Sequence, residues 1–372
     1  MKKQTTVTKI IKRPKKLHVS QKKVAPGVRT FSLTIRTRAL LKWLSIVVGG
    51  FLVVFLTAPL WNPILFPPLQ HPRIGVSFSE KRSIELGLNW QDNFTALLDD
   101  MNIRSFRLMS YWDVHEATRG KMDFSSLDWQ MNEAAKRGAK VSLAIGLRQP
   151  RWPECHEPDW AKELGGNAWK QALYAYIEAV VKRYENSPAL ESWQLENEAV
   201  NDWFGECGKA DVERLNEEFS LVKKLSKKPV WMSLSDQHGF PINPPVPDEF
   251  GFSVYRIVWS EKTEPYKGYL TYPTPIWYHR MRAALITAYT GKPIFIHELQ
   301  LEPWGPRDTR DLDVYEQDKS MSREQIKKNL YFAREIGAHD IYTWGGEWWY
   351  WRKVHGDPSI WNTVKSEFDA SR

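Results

Sequence analysis

From residue 74 onward, short apolar runs alternate with longer segments whose apolar positions recur at helical spacing. The short runs are typical of buried strands, and the longer segments are typical of amphipathic helices. Strands are predicted over residues 74–79, 103–112, 140–146, 190–195, 229–236, 250–258, 292–299 and 339–346. Helices are predicted over residues 90–101, 125–138, 167–185, 211–227, 276–291 and 322–337. The Pro-rich connection between the fifth and sixth strands has no clear helical pattern.

Eight apolar strands separated by helices predict an α/β domain, a (β/α)8 TIM barrel, over residues 74–372. The alternative is a doubly wound sheet, which binds its ligand at a topological switch point. The sequence contains no glycine-rich phosphate turn of the kind typical of that fold. In a barrel the active site lies where the strands end, so the residues at those ends are the candidates for chemistry.

A segment of different character precedes the barrel. Trp43 to Trp61 contains 19 residues and no charged side chain. At 1.5 Å per residue, a helix of this length spans about 28 Å, close to the hydrocarbon thickness of a bilayer. A buried core helix and a cleaved signal peptide are the alternatives. The segment lacks an amphipathic stripe, and Pro59 follows the only small-residue cleavage position, so we predict an uncleaved transmembrane helix.

The charge is unevenly distributed along the chain. Of the 52 basic residues, 13 lie in residues 1–42, which contain no Asp or Glu, so 39 basic residues remain beside 44 acidic ones. The positive-inside rule predicts a cytoplasmic basic arm over 1–42 and a barrel outside the cytoplasm. The Pro-rich residues 62–73 predict a short linker between the membrane helix, 43–61, and the barrel. The mildly acidic barrel argues against nucleic acid as a partner.

The two cysteines, Cys155 and Cys207, lie in loops that follow predicted strands. These loops would be neighbours in a barrel, and outside the cytoplasm the cysteines could form a disulfide. Two unrelated free thiols are the alternative. Neither cysteine has the spacing of a zinc site, and we predict no metal and no cofactor.

Two predicted strands end in carboxylates. The fourth runs into LESWQLENEA, which contains Glu196, Asn197 and Glu198, and the seventh, KPIFIHEL, ends near Glu298. Two carboxylates at one barrel mouth suggest glycoside cleavage. The acetal oxygen must be protonated while an oxocarbenium-like centre is stabilised, so one carboxyl must be neutral while the other is ionised.

These residues resemble the motifs of the clan A retaining glycoside hydrolases, which are (β/α)8 barrels. The Asn197-Glu198 pair resembles the clan's strand-four pair, and Glu298 in FIHELQ resembles its strand-seven nucleophile. The resemblance implies that Glu198 is the acid/base, that Glu298 is the nucleophile and that Asn197 binds a sugar hydroxyl. It also implies substrate-site roles for three residues that match on strands two, six and eight: Arg107, Tyr255 and Trp344.

The sequence departs from the cellulase-like family 5 pattern in two places. Strand six has Ser253 two residues before Tyr255, where that family often has His, and strand three ends in Gly146-Leu147-Arg148 without the family's His. The loop RQPRWPECHEPDW is as similar to galactosidase-like and xylosidase-like branches. The family and the sugar therefore remain open.

Several candidates have plainer interpretations. Glu196 lies two residues before Glu198, so on a strand it faces the same side and could be the functional carboxylate instead. Arg107 could be an interior ion pair, and Tyr255 could be core packing. The pair His297-Glu298 suggests a metal site only weakly, because neighbours on a strand face opposite sides. The chain contains 19 Trp; among those in mouth loops, Trp112, Trp152 and Trp203 are candidates to stack on sugar rings.

The sequence thus predicts a membrane-anchored retaining glycosidase that cleaves a β-linked oligo- or polysaccharide by double displacement, with no cofactor. A catalytically inactive barrel that binds glycans at the cell surface is the first alternative, since it would keep the Trp platforms. An envelope scaffold that uses the barrel as a spacer is the second. Neither the sugar, the linkage nor the exo or endo mode follows from the sequence.

Overall fold

The structure, a computed structural model, describes residues 31–69, 71–202, 204–233, 239–240, 245–261 and 267–371, and the side chains of 31–38 are not described. Most of the predicted basic arm, the loop residue Trp203 and residues 234–236 of the predicted fifth strand lie outside the described residues. The chain forms two units, one ending at Ala58 and the other beginning at Pro59.

The described residues contain ten strands. They are β1 (Arg73–Ser77), β2 (Ser105–Met109), β3 (Lys140–Ile145), β4 (Leu190–Leu195), β5 (Val230–Ser233), β6 (Glu249–Val254), β7 (Ile257–Ser260), β8 (Gly268–Thr271), β9 (Ile294–Gln300) and β10 (Asp340–Trp344). Eight of them close a parallel barrel in the order β1-β2-β3-β4-β5-β6-β9-β10. The predicted (β/α)8 barrel is therefore confirmed, and β9 and β10 are its seventh and eighth strands.

Among the described residues, helices follow each barrel strand except β5, whose connection to β6 also lacked a predicted helix. The described helices are α1 (Phe31–Leu65), α2 (Glu80–Glu85), α3 (Trp90–Asp99), α4 (Trp112–His115), α5 (Ser125–Lys136), α6 (Asp159–Lys162), α7 (Gly166–Tyr184), α8 (Val212–Leu225), α9 (Ile276–Thr290), α10 (Val314–Met321), α11 (Arg323–Arg334), α12 (Gly346–Val354) and α13 (Ser359–Asp369). Side-chain caps begin several of them; Asp211, for example, accepts from the backbone N–H of Arg214 at the start of α8.

The sixth barrel strand is shorter than the predicted 250–258. It ends at Val254, and the following residues form β7, which pairs with β8 in a separate antiparallel hairpin. The break has a physical cause, because the side-chain oxygen of Gln300 accepts from the backbone N–H groups of Arg256 (2.8 Å) and Ile257 (3.1 Å). These two groups therefore bond to a side chain rather than to a neighbouring strand.

Aromatic side chains fill the barrel between strands that are not neighbours. Trp231 on β5 lies 5.0 Å from Phe295 on β9 and 6.4 Å from Tyr342 on β10, measured between ring centroids. All three side chains are buried. Gly251 on β6 leaves room for this packing, since a Cβ there would lie 2.7 Å from Cζ of Phe295. The interior is therefore a packed core below the mouth.

Helix α1 carries the predicted membrane anchor. Its apolar part, Ala39–Leu65, contains 27 residues and is long and apolar enough to cross a membrane. The helix begins before the predicted 43–61 and continues to Leu65. The first residues of the predicted linker, 62–73, are thus helical rather than extended.

Candidate active site

The end of β4 turns sharply, and this turn aims Glu198 into the mouth of the barrel. Glu196 and Glu198 have φ of 54° and 45°, in the left-handed region. This conformation costs about 1–2 kcal/mol for a residue with a side chain. It is held by backbone bonds from Asn197 N–H to the Arg148 carbonyl (2.8 Å) and from Glu198 N–H to Ser233 Oγ (2.8 Å). Such retained strain is common at functional sites.

Neutral donors surround the Glu198 carboxyl. Asn201 Nδ2 donates to Oε2 at 2.7 Å, and Ser253 Oγ donates to Oε1 at 3.2 Å. His297 Nε2 lies 3.9 Å from Oε1. Burial and the positive charges of Arg107 and Arg282 lower the pKa of His297 well below its ordinary value, so this imidazole is neutral. These three partners of the Glu198 carboxyl are therefore all uncharged.

The Glu298 carboxylate, in contrast, has a charged guanidinium among its partners. Arg107 Nη1 lies 3.1 Å from Oε1, and the Tyr255 hydroxyl donates to Oε2 at 2.6 Å. Burial, together with the charges of Glu298 and Glu198, raises the pKa of Tyr255 well above its ordinary value, so the phenol remains a donor. One carboxylate oxygen of Glu298 lies within 4.8 Å of one of Glu198. The structure therefore brings the two predicted carboxylates together.

Arg107 on β2 links these groups. Its side chain is fully buried, and besides Glu298 it donates to Gln194 Oε1 (2.5 Å), Asn197 Oδ1 (2.6 Å) and the His297 carbonyl (3.2 Å). Arg107 thus forms a buried ion pair with Glu298, the candidate nucleophile. The interior ion pair that the sequence left open is therefore present, and the role of Arg107 in the substrate site stays a prediction.

A β-bulge brings His297 and Glu298 to the same side. Consecutive residues Phe252 and Ser253 on β6 pair with Ile296 and Glu298 on β9, which leaves His297 as the extra residue. Bulges of this kind re-aim side chains next to active sites. The expectation that His297 and Glu298 face opposite sides was therefore wrong.

Glu198, His297 and Glu298 are the described residues whose donor atoms could share a metal ion, since they lie within 4.8 Å of one another. Two carboxylates and a neutral imidazole are acceptable ligands for several divalent ions. The Arg107 guanidinium, 3.1 Å from Glu298, already supplies a positive charge there and would repel such an ion. The contacts thus fit a proton-transfer site better than a metal centre.

Glu196 does not share the position of Glu198. Arg214 on α8 binds its carboxylate at 2.9 and 3.3 Å, and the backbone N–H of Leu147 donates to it at 2.7 Å. Gly146 is required beside it, because a Cβ there would lie 2.7 Å from Glu196 Oε1. The turn at the end of β4 breaks strand alternation, so the expectation that Glu196 faces the same side was wrong. It holds the helical shell to the barrel.

A third buried carboxyl, Glu154, was missed by the sequence analysis. It lies in the loop after β3, and its Oε2 accepts from Asn197 Nδ2 at 2.9 Å. Burial, followed by the charges of Glu298 and Glu198, raises the pKa of Glu154 well above its ordinary value. Only its place in the same loop as the candidate Trp152 could have drawn attention to it.

Aromatic rings extend from the carboxylates toward the surface. Trp344 lies 5.9 Å from Tyr255 and 6.1 Å from Trp304, and Trp304 lies 6.0 Å from Phe204. Phe204 in turn lies 6.0 Å from Trp152, whose side chain is 57% exposed. The predicted Trp152 and Trp344 thus lie at two ends of one aromatic row, and Trp304 and Phe204 between them were not predicted.

Trp112 does not join this row. Its side chain is 0% exposed, because the residue begins the short helix α4 and packs against Trp160, Trp169 and Tyr176. Its indole N–H donates to Glu116 at 2.8 Å. With its ring enclosed by the core, it has no surface for a sugar. The expectation of a platform at Trp112 is corrected accordingly.

Cys155 and Cys207 form a disulfide, which joins the loop after β3 to the loop after β4. The pairing left open by the sequence is thus present. Arg148 ties the same loops together: its guanidinium donates to the carbonyls of Asn197 (3.0 Å), Asn201 (2.9 Å) and Phe204 (3.2 Å). The residues around Glu198 are held from two sides.

Comparisons with known proteins find related barrels. No protein-family model matches the chain. Mannan endo-1,4-beta-mannosidase F of Aspergillus fumigatus is 30% identical over 117 residues, which covers 27% of this chain. The match spans 26% of that relative, about a quarter of its length.

Two solved structures resemble the chain over most of its length. A GH5_18 protein from Bifidobacterium longum, in complex with Manβ1-4GlcNAc, has a TM-score of 0.52 at 12% identity and covers 74% of this chain and 68% of its own. A family 10 endo-β-1,4-xylanase from Gloeophyllum trabeum has a TM-score of 0.51 at 15% identity. The match covers 82% of this chain and 99% of the xylanase chain. The chain thus has the barrel fold of these glycoside hydrolases, which confirms the clan A resemblance at the level of the fold.

Proposed function

We propose that the protein is a retaining glycosidase of β-linked saccharides, with Glu298 as nucleophile and Glu198 as acid/base. The observation that carries the proposal is the pair of carboxylates with oxygens within 4.8 Å of each other, of which the Glu298 carboxylate also bonds to Arg107 and Tyr255. Retaining enzymes have carboxyl groups about 5–5.5 Å apart, whereas inverting enzymes need about 6.5–9.5 Å to admit a water. The short approach supports direct attack by one carboxylate.

In the first step, an oxygen of Glu298 attacks the anomeric carbon while the Glu198 carboxyl donates its proton to the glycosidic oxygen. The bond between the glycosidic oxygen and the anomeric carbon breaks, and a glycosyl ester forms on Glu298. The Arg107 guanidinium and the Tyr255 hydroxyl bond to the two oxygens of Glu298 and orient its carboxylate before attack. A negative charge on Glu298, whose carboxylate oxygen lies within 4.8 Å, disfavours a second negative charge on Glu198 and so favours its protonated form.

In the second step, the Glu198 carboxylate takes a proton from water, and the water oxygen attacks the anomeric carbon. The ester bond breaks, Glu298 leaves as a carboxylate, and Glu198 regains its proton. Both displacements occur at the same carbon, so the product keeps the β configuration.

The aromatic row supports binding of a saccharide longer than one ring. Trp344 lies beside Tyr255 at the carboxylate end of the row, with 5.9 Å between the ring centroids. Trp152 offers an exposed face at the far end. The mannanase similarity and the Manβ1-4GlcNAc complex of the Bifidobacterium protein make β-mannosides the first substrates to test.

The stereochemical course of hydrolysis tests the proposed mechanism. We expect aryl β-glycosides, beginning with mannosides, glucosides, galactosides and xylosides, to give the β-anomer first, followed by slow mutarotation. Proton NMR of the anomeric region during the first minutes makes the measurement. First formation of the α-anomer would contradict the double displacement. Glycan binding without turnover of any substrate in the panel would favour the inactive glycan-binding barrel.

We further propose that α1 anchors the protein in the cell membrane, with the N-terminus in the cytoplasm and the barrel outside. The 13 basic residues and the absence of acidic ones over residues 1–42 support this orientation. The Cys155–Cys207 disulfide supports an oxidising compartment for the barrel.

Tags at the two ends of the chain test the orientation. We expect antibody to reach a tag fused after Arg372 on intact cells, and to reach a tag fused before Met1 only after permeabilisation. The reverse pattern would contradict the orientation, and recovery of both tags in the soluble fraction would contradict the anchor.

A further inference from the structure

Glu154 is connected to the candidate nucleophile by a chain of hydrogen bonds. Asn197 Nδ2 donates to Glu154 Oε2 (2.9 Å), Arg107 Nη2 donates to Asn197 Oδ1 (2.6 Å), and Arg107 Nη1 donates to Glu298 Oε1 (3.1 Å). Because arginine has no acceptor, the amide oxygen of Asn197 must face Arg107 and its nitrogen must face Glu154. Glu154 therefore fixes the nitrogen of the Asn197 side-chain amide, and Asn197 directly precedes Glu198 in the chain.

The backbone holds Glu154 in place at a cost. Its φ is 72°, a left-handed conformation that glycine would adopt more cheaply. The next residue, Cys155, is bonded to Cys207. Gly205 makes room from the opposite loop, because a Cβ there would lie 2.8 Å from Cβ of Glu154. The two loops are thus built around this side chain, which is only 4% exposed.

The charged groups around Glu154 favour its neutral form. Glu298 and Glu198 face it with negative charge, and burial disfavours a third charge beside them. Arg148, whose Nη2 lies 3.9 Å from Oε2, and the amide of Asn197 act in the opposite direction. The charge of Glu154 also contributes to raising the pKa of Tyr255, which remains a neutral phenol. The balance raises the pKa of Glu154.

We propose that protonated Glu154 is a positioning residue that fixes the Asn197 amide, and through it Arg107 and Glu198, and that loss of its proton sets the alkaline limit of activity. The proposal rests on the proposed glycosidase function. Ionised Glu154 would place a further negative charge beside Glu298 and Glu198. It would also hold Asn197 more tightly and draw its amide away from the geometry shared with Arg107.

The test compares Glu154→Gln and Glu154→Ala with wild type, using the exposed carboxyl of Glu206 on the partner loop for a matched control, Glu206→Gln. We measure kcat and KM for an aryl β-glycoside across about pH 5 to 9. Glu154→Gln should lower kcat only a few-fold and move the alkaline limb upward by about one pH unit or more, because Gln cannot ionise. Glu154→Ala should lower kcat about tenfold or more with little change in KM, because the amide of Asn197 is no longer fixed.

A second measurement does not depend on turnover. The pKa of Glu154 is raised in the folded chain, so its stabilising contribution is fully present below the ordinary range of Glu and is lost as pH rises through the raised pKa. The melting temperature of wild type should therefore fall more steeply with rising pH than the melting temperature of Glu154→Gln. The melting temperature of Glu206→Gln should follow that of wild type.

The outcomes separate the two proposals. An active wild type whose alkaline limb coincides with that of Glu154→Gln, or a Glu154→Ala variant with unchanged kcat, would overturn the role of Glu154. Parallel melting profiles for wild type and Glu154→Gln would overturn it as well. An inactive wild type whose melting profile still differs from that of Glu154→Gln would contradict the glycosidase and leave the protonated Glu154 supported.

Discussion

Replacing Glu298 with Gln should lower kcat by about 10⁴-fold or more while the barrel remains folded. The amide oxygen can accept from Arg107, and the amide NH2 can donate to the Tyr255 hydroxyl oxygen, so both side chains that now bond to the carboxylate at 3.1 and 2.6 Å keep a partner. It cannot form the glycosyl ester, so the first displacement loses its nucleophile. The measurement is kcat on an aryl β-glycoside, with the melting temperature as a check on folding.

Glu206→Gln is the control, because this exposed carboxylate lies in the loop after β4 and its backbone N–H, rather than its side chain, bonds to the Pro153 carbonyl. It should leave kcat within about twofold of wild type. A Glu298→Gln variant with more than a tenth of wild-type activity, after exclusion of deamidation by mass spectrometry, would remove Glu298 from the mechanism.

Replacing Glu198 with Ala should produce a loss that depends on the leaving group. On a saccharide, whose leaving oxygen needs a proton, we expect kcat/KM to fall by about 10²–10⁴-fold, the usual contribution of a general acid. On a dinitrophenyl glycoside, which needs little protonation, the first step should remain fast and hydrolysis of the ester should become limiting.

Added azide distinguishes Glu198 from Glu298, because azide needs no general base. With Glu198→Ala it should enter the space of the lost carboxyl, restore turnover of the dinitrophenyl glycoside and give a β-glycosyl azide. The anomeric configuration is read by NMR. A product of α configuration would mean that azide attacked from the face of the nucleophile, and the assigned roles of the two carboxylates would have to be exchanged.

The barrel and its two main carboxylates could be predicted because they depend on local patterns. Apolar runs define the strands, and parallel strands in a closed barrel end at one mouth. Glu198 and Glu298 follow such runs on the fourth and seventh barrel strands. Their proximity therefore follows from the barrel topology, which the order of strands and helices along the chain already indicates.

Departures from regular strand geometry could not be predicted. The left-handed turn at Glu196 and Glu198 and the bulge at His297 each change which side a residue faces, and neither leaves a mark in the pattern of apolar residues. Regular strand alternation therefore predicts the wrong side for both Glu196 and His297. Such irregularities are frequent at functional sites, where chemistry decides the direction of a side chain.

Loops were the other source of error. Trp112 follows the second strand as a loop residue would, but the short helix α4 carries it into the core. Glu154 has no periodicity to identify it, and its burial depends on the disulfide and on Gly205 in another loop. Contacts between residues far apart in the chain, which one sequence does not reveal, decided both positions.

Covalent trapping tests the central claim most directly, because it identifies the atom that attacks the sugar. Incubation with dinitrophenyl 2-deoxy-2-fluoro-β-glycosides of the sugars in the substrate panel, followed by peptide mapping, locates the glycosyl ester. The account predicts inactivation with release of one dinitrophenolate per chain and a label on Glu298, absent from Glu298→Gln. A label on Glu198, Glu154 or any other residue would contradict it.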